Sequence, residues 1–373
     1  MMATATAWVG LRLDPLDTLF FRDGRPFDAA NRVVGGLPNP QTLAGALRTT
    51  LLGASGFFAN NPRADLAAIL RDGDPAVTKA CFRGPFLALA KGDEVEPLFE
   101  VPMVAVRDKD KKWVRRAPGS PELPGWNDPD GLRPVVRQEG GRPNAKDDGP
   151  WLTLGGVKAV LTGGKPDKKQ VVEREALTDH DNRTGIVIDT NSMATVEGQL
   201  YGIRLLSLNP DIKDGDWKGW KVCLYAEMKP GAGGSLDCSA TLNGTPIPFG
   251  GEGKYVRATT VPGRSWPPFD PAAKSSLWYL ATPTFLPFRT ELRRPLPPGV
   301  VAAVSGPGIA VSGWDVARRG PNATRFAVPA GACYYLDAAG DPNGFLDGSL
   351  PDIDNLRQSG WGFALQGTWE DRT

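Results

Sequence analysis

The segment GGEGKYVRAT, which begins at Gly250, has the composition of a turn that can hold an anion. Gly250, Gly251 and Gly253 allow successive backbone N–H groups to face outward. Lys254 and Arg257 place positive charge beside them. Such a turn can cradle a phosphodiester, but the same residues suit a bulged hairpin. The residues alone leave both interpretations open.

A second candidate binding surface is the stretch LDPLDTLFFRDGRPFD, residues 13–28. An Asp-Gly pair is sufficient for a turn, so the turn does not explain Arg22 and Arg25. Phe20 and Phe21 are interpreted as core residues, because aromatic side chains next to a strand are usually buried. The two arginines are therefore the residues to which we assign a function.

Acid–base or nucleophilic catalysis would have to use His180, the one histidine of the chain. It lies in LTDHDNRTG between Asp179 and Asp181, a polar setting that suits a solvated histidine, and no partner motif is recognisable. A single histidine also excludes metal sites built from several. The chain has no phosphate-binding P-loop, no dinucleotide fingerprint and no EF-hand loop. These observations leave open a metal site built only from carboxylates, but no motif for one is present, and we predict no catalytic residue, no metal and no cofactor.

The net charge of +1 and the isoelectric point near 7.6 give no case for a whole-chain polyanion binder. Any nucleic-acid site must then be a local basic patch. Each candidate run also fits a solvated loop. The runs are RDKDKKWVRR (107–116), KPDKK (165–169), RTELRR (289–294) and ARRG (317–320).

The cysteines and the apolar segments indicate a soluble, cytoplasmic protein. The four cysteines are widely spaced, without a zinc or redox pair. Cys223 and Cys333 lie in apolar runs and are predicted to be buried free thiols. The N-terminus lacks the features of a signal peptide, and no apolar stretch is long enough to cross a bilayer.

With 45 Gly, 35 Pro and 11 Trp, the chain favours short strands and long loops. One helix is clear in PNPQTLAGALRTTLLG, with Asn39 as N-cap, Pro40 in the first turn and Gly53 predicted to end it in left-handed geometry. Strands before and after it give the order β, α, β, β, a variable segment, β, which is close to a ferredoxin-like pattern. A similar β-rich second half follows a polar turn cluster near residue 212.

Residues 174–206 are predicted to contain a hairpin. Alternation at Ile186 and Ile188, and again at Leu200 and Ile203, indicates two strands around a tip rich in Thr, Asn and Ser. The polar tip suits contact with an RNA backbone or a partner protein, and it equally suits a plain surface loop.

These pieces occur together in a known family. The whole chain resembles the third subunit of the type III-B CRISPR effector, the Cmr complex, a member of the RAMP superfamily of guide-RNA-binding proteins. Five segments between Leu13 and Trp369 carry the resemblance in the family's order. They are LDPLDTLFFRDGRPF with LPNPQTLAGALRTTLL, RTGIVIDTNSMATVEGQLYGIRLL, GGEGKYVRAT, GWDVARRGPNATRFAVPAGACYYL and GWGFALQGTW.

The resemblance implies an α+β fold of two ferredoxin-like (βαββαβ, RNA-recognition-type) domains packed together, with long loop insertions. We place these at residues 1–212 and 213–373. It also implies a non-catalytic role, holding the repeat-derived 5′ handle of the CRISPR RNA. The implied protein partners are the Cas10-type large subunit and the adjacent RAMP backbone subunit. The chain departs from the family at SGWGFALQGTW, which has fewer glycines and includes Trp361.

On this resemblance, the expected RNA-binding residues are cations, amides and close-approach glycines. The helix start at Pro40 adds free N–H groups. Two other functions stay open: a RAMP-type endoribonuclease that processes precursor CRISPR RNA through His180, and an assembly protein without direct RNA contact. The expected RNA-binding residues are Arg22, Arg25, Asn39, Gln41, Arg48, Gly250, Gly251, Gly253, Lys254 and Arg257.

Overall fold

A computed structural model describes residues 7–21, 33–34, 36–61, 66–128, 131–138, 144, 149–189, 191–289, 294–315, 320–321 and 323–370. Within these ranges the helices are α1 (Pro40–Ala54), α2 (Phe57–Asn60), α3 (Leu66–Asp72), α4 (Pro75–Thr78), α5 (Leu154–Leu161), α6 (Cys238–Leu242) and α7 (Ile353–Ser359). Short 3-10 helices cover Lys168–Gln170, Arg174–Ala176 and Pro342–Phe345.

The strands are short and numerous, as the composition predicted. They are β1 (Val9–Pro15), β2 (Val33–Val34), β3 (Cys81–Lys91), β4 (Glu94–Glu100), β5 (Ala105–Arg107), β6 (Trp113–Pro118), β7 (Val135–Arg137), β8 (Trp151–Thr153), β9 (Val171–Val172), β10 (Thr178–Ile188), β11 (Thr195–Leu208), β12 (Lys221–Lys229), β13 (Pro246–Pro248), β14 (Tyr255–Pro262), β15 (Ser276–Leu280), β16 (Phe288–Arg289), β17 (Arg294–Pro295), β18 (Val300–Val304), β19 (Ile309–Val311), β20 (Trp314–Asp315), β21 (Gly320–Pro321), β22 (Arg325–Ala327), β23 (Cys333–Leu336) and β24 (Ala364–Gly367).

An antiparallel sheet of eight strands forms the centre of the molecule, in the order β13-β14-β1-β12-β3-β4-β8-β9. Alternation in β1 directs Leu11 and Leu13 to one face, where both are fully buried. The chain is thus a mixed α and β protein with mostly antiparallel sheets and few helices, which confirms the coarse fold prediction.

Helix α1 covers one face of this sheet. Leu43, Leu47 and Leu51 recur every fourth residue and are buried against the core. The predicted end at Gly53 is wrong, because the helix continues to Ala54 and the backbone N–H of its C-cap residue, Ser55, bonds back to the helix. The left-handed residue comes later, at Gly56, with φ +77°.

The opposite face of the large sheet packs against a second sheet, in the order β18-β23-β15-β24. Phe86 and Tyr225 from the first sheet meet Tyr279 and Tyr335 from the second in one apolar cluster. Cys223 and Cys333 are buried free thiols in this layer, as predicted. Burial raises the pKa of Cys333 to about 12, so this thiol stays protonated.

The pairing crosses the predicted boundary at residue 212. β12 and β14, which follow that boundary, both flank β1 in the large sheet, and β12 also pairs with β3. Residues 221–262 therefore belong to the same sheet as the first strand. The division into two domains stays a prediction.

A small antiparallel sheet of β5, β6 and β7 lies between β4 and β8 in the sequence. In the segment WLTLGGVKAVLTG, which begins at Trp151, β8 leads directly into α5. Among the described residues, no helix is long and apolar enough to span a membrane.

Candidate nucleic-acid interface

Three segments that the sequence singled out converge at the end of β1. The N–H of Leu16 donates to the carbonyl of Tyr255 at 3.0 Å, which continues the pairing of β1 with β14. Leu19 exchanges two backbone hydrogen bonds with Leu206 of the long hairpin, at 2.7 and 2.8 Å. Gly251 of the glycine turn donates its N–H to the carbonyl of Phe20 at 2.9 Å. The N-terminal loop thereby joins the turn to the hairpin.

The glycine turn connects β13 to β14 and lies tightly on the N-terminal loop. Gly250 has φ +86°, and a Cβ there would lie 2.5 Å from the carbonyl oxygen of Phe20 and 2.8 Å from the ring of Phe21. Only glycine satisfies both the left-handed backbone and the close approach. The turn closes through the Phe249 N–H, which donates to the Lys254 carbonyl at 2.8 Å.

The two phenylalanines of the N-terminal loop are core residues, as predicted. Phe20 is 4% exposed and Phe21 is 7% exposed. The ring of Phe21 meets Phe249 edge to face at 5.4 Å. Arg22 and Arg25 lie outside the described residues, so their assignment stays a prediction.

Lys254 does not present a free charge. Its ammonium lies 2.7 Å from Oδ2 of Asp17, and its side chain is only 11% exposed. The hydrogen bond from Lys254 is the largest cause of the lowered pKa of the Asp17 carboxyl. Since Asp17 itself is exposed, the pair sits at the rim of the turn and its strength depends on salt.

Tyr255 and Arg257 form the outward face of β14. They alternate with Val256 and Ala258, which are fully buried, so the two exposed side chains share one side of the strand. An exposed aromatic ring two residues from an exposed guanidinium can stack a base and hold its phosphate. We had not singled out Tyr255 from the sequence. The alternation of YVRA is the signal that could have identified it.

Helix α1 begins beside this cluster. Oδ1 of Asn39 accepts hydrogen bonds from both the N–H and the hydroxyl of Thr42, each at 2.9 Å, as its predicted N-cap role requires. Gln41 lies half-buried in the first turn. The side-chain oxygen of Asn39 is thus occupied by hydrogen bonds within the helix.

A cavity of about 390 Å³ opens between this helix start, strands β3 and β4 of the large sheet, and β19. Its wall is mostly apolar and includes Phe21, Pro40 and Ile309, whereas Glu100 and Arg174 supply charge. Burial raises the pKa of Glu100, and the nearby Arg174 partly offsets that effect. The cavity can accept a flat or aliphatic group that carries a hydrogen-bond donor.

Arg48 lies away from the cluster and makes contacts within the protein. Its guanidinium donates to Oδ1 of Asn355 at 2.7 Å and to Oε1 of Gln358 at 3.3 Å, both on α7. It also lies over the ring of Phe82 at 5.3 Å. Burial lowers the pKa of this arginine. Its geometry ties α1 to the C-terminal helix.

The predicted hairpin is present as β10 and β11, which pair from Thr178 with Leu208 to Ile188 with Thr195. Eleven residues of β10 at about 3.4 Å each give a ribbon of about 37 Å. Its end carries exposed apolar side chains, with Met193 78% exposed. The tip is therefore less polar than the sequence suggested.

His180 lies near the base of this hairpin, opposite Leu206. Burial, and to a smaller extent the charge of Arg204, lowers the pKa of its imidazole. Nδ1 is buried and has no hydrogen-bond partner among the residues that the structure describes. The neutral ring is therefore favoured. In the part of the chain that the structure describes, no group of His, Cys, Asp and Glu is arranged to hold a metal.

The C-terminal glycines serve close packing. A Cβ on Gly360 would lie 2.8 Å from the Phe82 carbonyl oxygen, and one on Gly362 would lie 2.9 Å from that of Phe345. Trp361 between them is buried, with its ring 4.7 Å from Phe285. The residues that depart from the family's glycine-rich pattern thus form core.

The family described as CRISPR-associated protein (Cas_Cmr3) matches residues 11–369 of this chain. Two similar solved structures are cryo-EM structures of the type III-B Cmr-beta complex, one bound to cognate target RNA and one bound to cognate target RNA and AMPPnP. Each similarity has 16% sequence identity and covers 87% of this chain and 86% of the other chain, with TM-scores of 0.50 and 0.49 respectively. No curated protein matches the chain.

Proposed function

Because this chain belongs to the Cas_Cmr3 family of CRISPR-associated proteins, we propose that it is a non-catalytic subunit that holds guide RNA in a type III-B effector complex. The bound segment is the repeat-derived 5′ handle of the CRISPR RNA. The protein partners are the Cas10-type large subunit and the adjacent RAMP backbone subunit, which this subunit bridges in RNA-guided antiviral interference.

The observation that carries the proposal is the outward face of β14 beside the glycine turn. Tyr255 provides an exposed ring, with 44% of its surface accessible, and Arg257 provides an exposed cation on the same side. Single-stranded RNA is held in this manner, by aromatic stacking and by cations on the phosphates. The cavity beside Asn39 offers space for a base that is turned out of the RNA strand.

The sheet topology supports the two ferredoxin-like units of the expected fold. The first unit consists, in chain order, of β1, α1, β3, β12, α6 and β14, which is the βαββαβ order. Across the sheet its strands lie in the order β14-β1-β12-β3, so the fourth strand of the unit is next to the first. In the second, β15, β18, β23 and β24 lie in the same arrangement, with α7 before the last strand. We therefore propose that the first unit extends to Pro262 and the second begins before Ser276.

The experiment removes the two exposed side chains of β14, Tyr255 and Arg257, in the assembled complex. We expect Tyr255→Ala with Arg257→Ala to weaken capture of handle-bearing CRISPR RNA by about tenfold or more, since each stacked base contributes about 1–3 kcal/mol. Capture is measured by filter binding at physiological salt. The matched control is Phe269→Ala with Lys274→Ala, which removes an exposed ring and an exposed cation elsewhere.

Equal capture by the β14 variant and the wild type, at equal yield of complex, would refute handle binding at this face. A loss of complex assembly together with unchanged RNA affinity of the complex that does form would instead support the assembly protein without direct RNA contact.

A further inference from the structure

At the far edge of the large sheet, the basic run 107–116 contacts residues on both sides of the second basic run, KPDKK, which lies about 50 residues later in the sequence. The Arg107 guanidinium donates to both carboxylate oxygens of Glu173, at 2.8 and 3.1 Å, and the Lys111 ammonium lies 3.6 Å from the same carboxylate. Arg115 donates to the carbonyl of Val160 at 3.2 Å. These contacts fix the turn between β5 and β6 against the segment that carries KPDKK.

The exposed lysines of the two runs form what we call the lysine surface: Lys109, Lys112, Lys165, Lys168 and Lys169. None of these ammonium groups forms an ion pair with another described residue. Lys169 is four residues from Glu173, so the two lie within about 14 Å of each other. The contacts of Arg107 and Lys111 with Glu173 therefore bring the first run close to Lys169.

The carboxylates close to the lysine surface offset only part of its charge. Oδ1 of Asp108 accepts from the backbone N–H groups of Asp110 and Lys112, each at 2.9 Å, and Glu173 is paired with Arg107. Asp110 and Asp167 are the exposed acids within the two runs. Among the described residues, five lysines without an ion pair are thus accompanied by two exposed acids within the two runs, in a chain whose total charge is +1.

The lysine surface is remote from the outward face of β14. β14 is the second strand of the large sheet and β9, which Glu173 follows, is the eighth. Six strand spacings of about 4.8 Å place them about 29 Å apart. A ligand held here is therefore bound by residues other than those proposed to hold the handle.

We propose that the lysine surface binds the sugar–phosphate backbone of single-stranded nucleic acid without reading its sequence. Lysine ammonium groups act as point charges on phosphates and carry no base preference. A protein interface would need an apolar centre. No large apolar side chain of residues 105–118 or 151–177 is exposed among the described residues. This proposal goes beyond the handle-binding function and does not depend on it.

The test uses the isolated full chain and a fluorescein-labelled uridine homopolymer, which has no handle sequence. The variant carries Lys109→Gln, Lys112→Gln, Lys168→Gln and Lys169→Gln. Its control carries Lys91→Gln, Lys213→Gln, Lys218→Gln and Lys274→Gln, four exposed lysines at other places that change the net charge equally. Polarisation is measured across a salt series, and circular dichroism checks that each variant is folded.

We expect weak, micromolar binding by the wild type and a loss of about tenfold or more in the variant. The slope of log affinity against log salt should fall by up to about 3, since each lost phosphate contact removes about 0.7. The control should stay within about twofold of the wild type. A deoxythymidine homopolymer should bind comparably, because it shares the phosphodiester.

Three outcomes would overturn the proposal: unchanged affinity of the variant, an equal loss in the control, or binding of RNA without binding of DNA. Polyglutamate tests the acidic-protein alternative, and competition by polyglutamate as effective as by RNA would also overturn it. Because the probe lacks the handle and no other subunit is present, failure here leaves the handle-binding proposal untouched.

Discussion

The backbone N–H of Gly251 donates to the carbonyl oxygen of Phe20 at 2.9 Å. This single bond joins residues that are far apart in the sequence and places the glycine turn on the loop that carries the two phenylalanines. The turn cannot change shape without disturbing the aromatic core beneath it. The position of the β14 face is therefore set by the packing of the N-terminal loop.

Gly250→Ala should destabilise the fold. The new Cβ would be forced against the Phe20 carbonyl oxygen, 2.5 Å away, in a backbone conformation with φ +86°. We expect a loss of about 2–3 kcal/mol in the free energy of unfolding, measured by urea denaturation. Gly253→Ala is the control, because its φ is +63° but no atom lies within 4 Å of a Cβ there, so it should cost about 1 kcal/mol. Equal losses in the two variants would contradict the close-approach argument.

Asp17→Asn should strengthen binding of handle-bearing RNA by the assembled complex. The substitution removes the carboxylate that lies 2.7 Å from the Lys254 ammonium and leaves that cation available to a phosphate. Because Asp17 lies exposed at the rim of the turn, the pair contributes about 1 kcal/mol or less, so we expect an increase of up to about fivefold at low salt. Filter binding across a salt series checks it. Lys254→Gln should have the opposite effect, and weaker binding by Asp17→Asn would refute the argument.

Arg48→Met should weaken the attachment of α7 to α1. It removes the guanidinium that donates to Asn355 and Gln358 but keeps an apolar stem over Phe82. Hydrogen bonds of a charged group contribute about 1.5–3 kcal/mol, so we expect a loss of about 2 kcal/mol in unfolding free energy. A double-mutant cycle with Asn355→Ala should give a coupling of at least about 0.5 kcal/mol. Additive losses would show that the two side chains do not interact.

The pH dependence of stability should change in His180→Asn. The imidazole pKa is lowered from 6.5 in the folded protein, chiefly by burial, so the unfolded chain binds the proton first as the pH falls. Stability from this residue is therefore complete above about pH 6.5 and is lost as the pH falls through the lower folded-state value. Urea midpoints at pH 7.5 and pH 5.5 should differ less in His180→Asn than in the wild type. An identical difference would contradict the burial effect.

The same variant should leave guide maturation and target cleavage unchanged in the assembled complex. Burial lowers the imidazole pKa, and Nδ1 is buried without a hydrogen-bond partner among the described residues, which suits packing better than proton transfer. Cleavage of labelled RNA, normalised to the yield of complex, is the measurement. A loss of cleavage at normal yield would favour the endoribonuclease alternative.

The local pattern predicted many of the elements. Asn39 and Pro40 mark the start of α1 correctly, because capping and the fixed φ of proline are local effects. The hairpin at Ile186 and Ile188 and the buried Phe20 and Phe21 also follow from alternation and from aromatic character. The resemblance to the Cmr family, based on five motifs in order, is confirmed by the family match to residues 11–369.

What the sequence by itself determined is thus the type of each strong element, the family, and the absence of a recognisable catalytic or cofactor motif. Only the tertiary structure decided which charges are committed. Lys254 is paired with Asp17 and Arg48 is bound to α7, whereas Lys168 and Lys169, at the other edge of the sheet, form no ion pair with another described residue. The reason is physical: element type follows from neighbours along the chain, but pairing of charges depends on strands brought together from distant parts of it.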